Sequence, residues 1–221
     1  MTNSQKYLNP SITVDVIIFT IINKELHVLL IQRDSDPFKN TLALPGGFIL
    51  KDENTVSAAE RLLRDKAHLE EKVYMEQLYT FDTPTRDPRG PVFCISYMAL
   101  LPSHTLSMEK ESYVLLPVNQ LPRLAFDHKE IITYGVERLQ AKLGYTNVVY
   151  SLLPNYFPFT ELQEVYEIIL GKSMDKRNFR KKFLQLNLVK ETKRILTGLR
   201  QRPAKLFTFI SKKPSELKKF F

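Results

Sequence analysis

The segment Leu42 to Leu69, LALPGGFILKDENTVSAAERLLRDKAHL, constrains the fold more tightly than any other part of the chain. It opens on a turn of small residues, Ala43-Leu44-Pro45-Gly46-Gly47, where the two glycines permit close approach of a ligand to the backbone. A helix is expected from about Asn54 to Ala67. In it Val56, Ala59, Leu63 and Ala67 fall at core spacing, with Arg61, Arg64 and Lys66 toward solvent. Amphipathicity alone would account for the helix, but not for the turn followed at fixed intervals by Glu53 and Arg61.

The spacing resembles a Nudix box, whose family pattern is G-x5-E-x7-R-E-U-x-E-E-x-G-U with U aliphatic. Gly47, Glu53 and Arg61 match the glycine, the early glutamate and the arginine, and Leu63 and Leu69 take the aliphatic positions. Leu62 stands at the first helical glutamate, Asp65 and Lys66 at the adjacent pair, and His68 at the closing glycine. Hard cations such as Mg²⁺ take oxygen ligands, and carboxylates three and four residues apart on a helix present them from one face. Lys66 would place an ammonium in that cluster, repelling a metal while still attracting phosphate. Glu60 does not repair the set, because it and Asp65 are five positions apart and point to different sides of the helix. Efficient metal-dependent hydrolysis is therefore not expected, nor is a bound metal or cofactor.

Charge divides the chain. Residues 151–221 carry 16 Lys+Arg against 6 Asp+Glu, whereas residues 1–150 carry 16 against 18. A basic patch confined to one part is the electrostatic footprint of a phosphate-backbone binder. Lys212, Lys213, Lys218 and Lys219 would equally suit a solvated basic tail. The one cysteine, Cys94, excludes an internal disulfide framework and a multi-cysteine zinc site. MTNSQKYLNP has no apolar run after basic residues, and no stretch approaches the roughly 20 apolar residues that span a bilayer. A cytoplasmic protein without membrane contact is the expectation.

In the first part, strands are expected at Ser11 to Ile21 and His27 to Gln32, around a turn at Asn23-Lys24. Further strands are expected at Val73 to Phe81, Pro91 to Leu101 and Tyr113 to Val118. Asp127 with Glu130 reads as a capping pair for a helix to about Leu143, lined by Ile131, Ile132, Val136 and Leu139. After Gly144, Thr160 with Gln163 reads as a second capping box. Leu162, Val165, Tyr166 and Ile169 then repeat at helical spacing up to Gly171. A helix from Asp175 to Leu186 puts Phe179 and Phe183 on one side and cations on another. Leu188 to Leu196, a turn at Gly198, and Lys205 to Ile210 read as a hairpin.

Helix, turn, basic helix and basic hairpin is the layout of a winged helix-turn-helix, which lays its second helix in the major groove. Lys176, Arg177, Asn178, Arg180 and Lys181 are the expected groove residues, and Arg194, Arg200 and Arg202 the expected backbone contacts on the hairpin. In the first part, Arg33, Arg86 and Arg89 could grip phosphate by forked hydrogen bonds, beside the Gly46-Gly47 turn. Glu53 and Asp87 could accept from sugar hydroxyls, and Phe48 could stack on a base or sugar. Against these contacts stand two plainer alternatives, pairing of Glu53 with Arg61 to lock the loop and a surface turn formed by Arg86 with Asp87.

The two parts together resemble the Nudix-related transcriptional regulators. The resemblance is carried by LALPGGF, by TRDPRG at Thr85 to Gly90, and by FTELQEVYEIILGKSMDKRNFRKKFL from Phe159 to Leu184. It implies an α/β protein, with a Nudix-like α/β/α sandwich on a mixed sheet over residues 1–146. A small α+β winged helix-turn-helix with a basic tail would follow over 147–221. It further implies a homodimer that binds a double-stranded DNA operator under control of a small effector: ADP-ribose, another nucleotide sugar, or in some branches a simple sugar such as arabinose. The competing class is a hydrolase of a nucleoside diphosphate derivative with unusual metal ligands from Glu53, Asp65 and Glu60. A scaffold with a vestigial pocket is the third.

Overall fold

The computed structural model describes residues 8–70, 72–106, 112–196 and 203–217. The chain divides into two compact units. One comprises Met1–Phe19, His27–Leu100 and Leu106–Gly135, and the other Thr20–Leu26, Leu101–Thr105 and Val136–Phe221. This division falls inside a helix, before the boundary expected between residues 146 and 147.

The first unit is built on a sheet whose longest strand, β1 (Ser11–Ile22), is nearly all β-branched or aromatic and is buried along most of its length. Its neighbours are β2 (Glu25–Gln32), β3 (Leu42–Ala43), β4 (Gly46–Phe48), β5 (Tyr74–Phe81), β6 (Val92–Leu100) and β7 (Val114–Pro117). The order is β3-β2-β1-β6-β5, with β4 added to β1 and β7 to β2. The β1–β6 pair is parallel and the pairings of β4, β5, β7 and β3 are antiparallel, so the sheet is mixed as expected.

Burial on both faces of β1 requires a helix on each side. On one face, Tyr97 lies in register with Val16, and its hydroxyl meets Thr55 Oγ1 at 2.7 Å, at the start of α1 (Thr55–Ala67). On the other face, Gly135 of α2 (His128–Leu143) approaches so closely that a Cβ there would lie 2.6 Å from Ile17 Cδ1.

Two local expectations change. Val56 is 47 % exposed, and Ala58 and Leu62 join Ala59, Leu63 and Ala67 inside, because α1 is turned to bring Leu62 against the sheet. Asp127 does not form a capping box with Glu130; its carboxylate receives the Arg86 guanidinium instead.

The later unit has α3 (Phe159–Leu170) and α4 (Lys176–Gln185) followed by strands β9 (Val189–Leu196) and β10 (Ala204–Phe209). A short strand missed in the sequence, β8 (Phe157–Pro158), pairs with β10 to give the order β8-β10-β9. Phe157, Phe159, Phe179, Phe183, Phe207, Phe209 and Tyr166 are all buried and form the aromatic core. Gly171 ends α3 in the left-handed region at φ 65, as its position predicts. The Thr160 capping box is absent, because Pro158 is the N-cap and Gln163 reaches Glu167 and the Met174 carbonyl.

Candidate functional site

The first unit contains a cavity of roughly 210 Å³ between the β1 end, the Gly46-Gly47 strand and the loops that follow β2 and β5. Its floor is polar. Asp15 interrupts an apolar strand, and its carboxylate takes a hydrogen bond from Cys94 Sγ at 2.9 Å and lies 3.5 Å from both Arg86 and His128 Nε2. His128 Nδ1 accepts the Leu44 backbone N–H at 2.9 Å, which directs the other ring nitrogen to Asp15. Burial raises the Asp15 pKa. The His128 charge and hydrogen bond, the Cys94 hydrogen bond and the Arg86 charge outweigh that and hold it below the ordinary carboxylate range. Burial beside Asp15 pushes the Cys94 thiol well up, so it stays protonated as a donor.

Gly46 is there because this carboxylate needs its space: a Cβ on it would stand 1.9 Å from Asp15 Oδ1. Thr13 Oγ1 also lines the cavity, buried and without a hydrogen-bond partner among the described residues. A buried unpaired hydroxyl costs about 1–3 kcal/mol, so it is a group available to a ligand.

The aromatic side of the cavity comes from Phe48 and Phe126. The Arg89 guanidinium lies 5.0 Å from the Phe48 ring centre and 5.5 Å from that of Phe126. Phe126 adopts φ 51, which a bulky residue rarely takes, and this turn carries its ring beside Arg33, at 4.9 Å, and next to His128. Such strain is characteristic of functional positions.

Of the expected effector residues, Arg33, Gly46, Gly47, Phe48, Arg86, Asp87 and Arg89 come together on this lining, and Glu53 does not. Both Glu53 oxygens are taken by Arg61 at 2.8 Å and one also by the Leu50 N–H, so it locks the loop rather than facing a ligand. Hydrogen bonds from Arg61 and from Leu50 depress its pKa to about 2. Arg86 is buried and forked onto Asp127, Asp87 is forked by Arg89, and Arg33 donates to the Pro37 and Ser35 carbonyls. The arginines therefore hold the cavity walls as much as they face its space. Thr13, Asp15, Phe126 and His128 were missed. Asp15 had a signal, a lone acid within an apolar strand; the Phe126 turn had none.

The lining does not fit a divalent cation. Where the Nudix pattern has its first helical glutamate, Leu62 is 1 % exposed and packs against Gly47, whose Cβ position is 3.3 Å from its Cδ2. Asp65 is exposed, and no group of three His, Cys, Asp or Glu among the described residues is placed to hold a metal ion.

A second candidate site is the α4 surface. Asp175 caps the helix by accepting the Asn178 N–H at 2.8 Å, and the buried Phe179 and Phe183 fix which side faces inward. Lys176, Arg177, Asn178, Arg180 and Lys181 are exposed. Arg180 leans back, 4.6 Å from the Phe159 ring centre and 5.3 Å from that of Phe207, which draws it off the outward face held by Arg177 and Lys181. On β9, Arg194 lies 4.0 Å over the Tyr156 ring. Arg200 and Arg202, with Gly198, Lys218 and Lys219, lie outside the described residues. Among the described residues, no helix is long and apolar enough to cross a membrane.

Comparison with known proteins finds the NUDIX domain model over residues 12–134 and the NrtR DNA-binding winged helix domain model over residues 149–209. The chain is 36 % identical to the ADPR responsive transcriptional repressor NtrR of Acinetobacter baylyi, over 92 % of this chain and 83 % of that one. It is 37 % identical to an ADP-ribose pyrophosphatase of Methanocaldococcus jannaschii over 57 % of this chain and 73 % of the other. The structure of Shewanella oneidensis NrtR complexed with a 27mer DNA superposes with a TM-score of 0.82 at 35 % identity, covering 90 % of this chain and 93 % of that one. The NUDIX domain of that same protein, complexed with ADP ribose, gives 0.53 at 34 % identity, covering 63 % and 99 %.

Proposed function

The chain belongs to the Nudix-related NrtR regulators, a NUDIX domain joined to an NrtR DNA-binding winged helix, and from that premise we propose that it is an ADP-ribose-responsive transcriptional repressor without efficient hydrolase activity. The observation that carries this reading is a cavity that keeps polar and aromatic groups suited to a nucleotide sugar while Leu62 and Lys66 stand where metal-holding acids belong. Thr13 and Asp15 supply hydroxyl and carboxylate partners for ribose, Phe48 and Phe126 supply flat apolar surface for the base, and the cationic lining draws in the diphosphate. Arg177, Asn178 and Lys181 of α4 enter the major groove, and Lys176 and Arg194 contact phosphates, a role proposed also for Arg200 and Arg202 outside the described residues. Two copies of the chain would place two such helices on half-sites about one helical turn, or a multiple of it, apart.

Repression and sensing are then linked. ADP-ribose binds better to one arrangement of the protein, and shifts operator affinity by the same factor that DNA shifts affinity for ADP-ribose. Fluorescence anisotropy on the DNA upstream of the chain's own coding sequence, with and without ADP-ribose, tests this. Affinity for that DNA should respond to ADP-ribose, and affinity indifferent to it would remove the effector. Light scattering tests the dimer.

The resemblance to an ADP-ribose pyrophosphatase supports one other reading, hydrolysis of the same compound. Turnover of ADP-ribose with Mg²⁺ or Mn²⁺ in the usual enzyme range of roughly 1–1000 per second would establish it in place of sensing.

A further inference from the structure

We propose that Lys66 replaces the divalent cation of this cavity, so that the diphosphate of the effector is held by an ammonium belonging to the chain and needs no metal. The inference rests on the effector reading above and deepens it. Lys66 follows Leu62 by four positions on α1, and so lies on the same helix face one turn on. Leu62 fills the inner position with hydrocarbon, and Lys66 reaches the lining of the cavity that Gly46 and Gly47 also line.

The other lining cations are committed. Arg86 is forked onto Asp127, Arg89 onto Asp87, and Arg33 onto two carbonyls. Among the described residues Lys66 is in no ion pair, although Asp34 on the same lining feels its charge.

An ammonium and Mg²⁺ share one capacity and differ in another. Both neutralise phosphate oxygens in the bound state. Only the metal also carries a water whose pKa it lowers to make a nucleophile. Exchanging one for the other keeps the affinity and removes the route to cleavage, which is what a sensor of an unbroken nucleotide requires.

Calorimetric titration of the full chain with ADP-ribose, in excess EDTA and again in Mg²⁺, tests the proposal, with inorganic pyrophosphate as a bare diphosphate probe. The wild-type protein should bind equally in both buffers. Lys66→Ala should weaken binding about tenfold, the scale of one charge-assisted contact. Lys66→Arg should retain most of it. Lys66→Glu should lose binding in EDTA and recover it in Mg²⁺. Lys66 is exposed, so the variants should melt like the wild type. Wild-type binding that requires Mg²⁺, or Lys66→Ala binding unchanged in EDTA, would overturn the proposal while leaving the effector intact. Metal-free pyrophosphate binding through Lys66 with no binding of ADP-ribose would do the reverse, and failure of both ligands to bind would end both.

Discussion

His68 ends α1 at φ 54, with its N–H on the Arg64 and Leu63 carbonyls, a left-handed cap that glycine takes without strain. A side chain in that conformation costs roughly 1 kcal/mol. His68→Gly is therefore expected to stabilise the protein by about 1 kcal/mol in urea denaturation, and a loss of stability would mean that the imidazole makes a contact of its own. Gly46→Ala should act oppositely, costing about 3 kcal/mol, since its methyl group would displace the Asp15 carboxylate from its buried partners. Acid stability follows from the same carboxylates. Asp15, Asp87 and Glu53 all titrate below their ordinary range in the folded chain, Glu53 at about 2. Their contribution is whole above the unfolded values near 4 and drains away as pH falls toward the folded ones. The urea midpoint should be level from pH 7 to about 5 and fall below that, less steeply in Asp15→Asn. Gly46 and Gly47 were legible as a close approach, but what approaches Gly46, a carboxylate three strands of sequence away, was not. Phe126 was illegible because nothing in Ala125-Phe126-Asp127 announces a left-handed backbone.

At the scale of elements, α4 shows how far periodicity reaches. Phe179 and Phe183 were readable as core, and their stacking at 5.6 Å fixes the roll of the helix. Which cations then face outward was not readable, because Arg180 is captured by rings from β10 and from the start of α3. Arg177→Ala and Lys181→Ala should each weaken operator binding about tenfold, and a lost phosphate contact should lower the slope of log affinity against log salt by about 1. Arg180→Ala should instead lower thermal stability by about 0.5–1 kcal/mol with a smaller effect on DNA. Equal effects of all three on DNA would show that Arg180 leaves the rings to bind. The capping boxes at Asp127 and Thr160 failed for a shared reason: each rested on two residue types at the right interval, and a distant partner, Arg86 or Met174, claimed one of them. The strand β8 was too short, and too rich in proline, to register as one.

At the scale of the molecule, the uneven charge was the most legible property of all, because it needs no coordinates. The winged helix match falls almost wholly in the basic third of the chain, and the near-neutral remainder contains the NUDIX match. Salt should accordingly weaken DNA binding steeply. Its effect on ADP-ribose, which meets few uncommitted charges, should be slight. Measuring both titrations over one salt series separates them, and parallel slopes would contradict the division. The leucine buried at position 62 has a historical consequence. Returning a glutamate there alone would press a carboxylate into hydrocarbon against the Gly47 strand, at a cost of several kcal/mol, while Lys66 one turn on still stood where the pattern has an acid. A single step back at this position is worse than the present sequence, so a return to metal-dependent chemistry would need position 62 and its surroundings to change together.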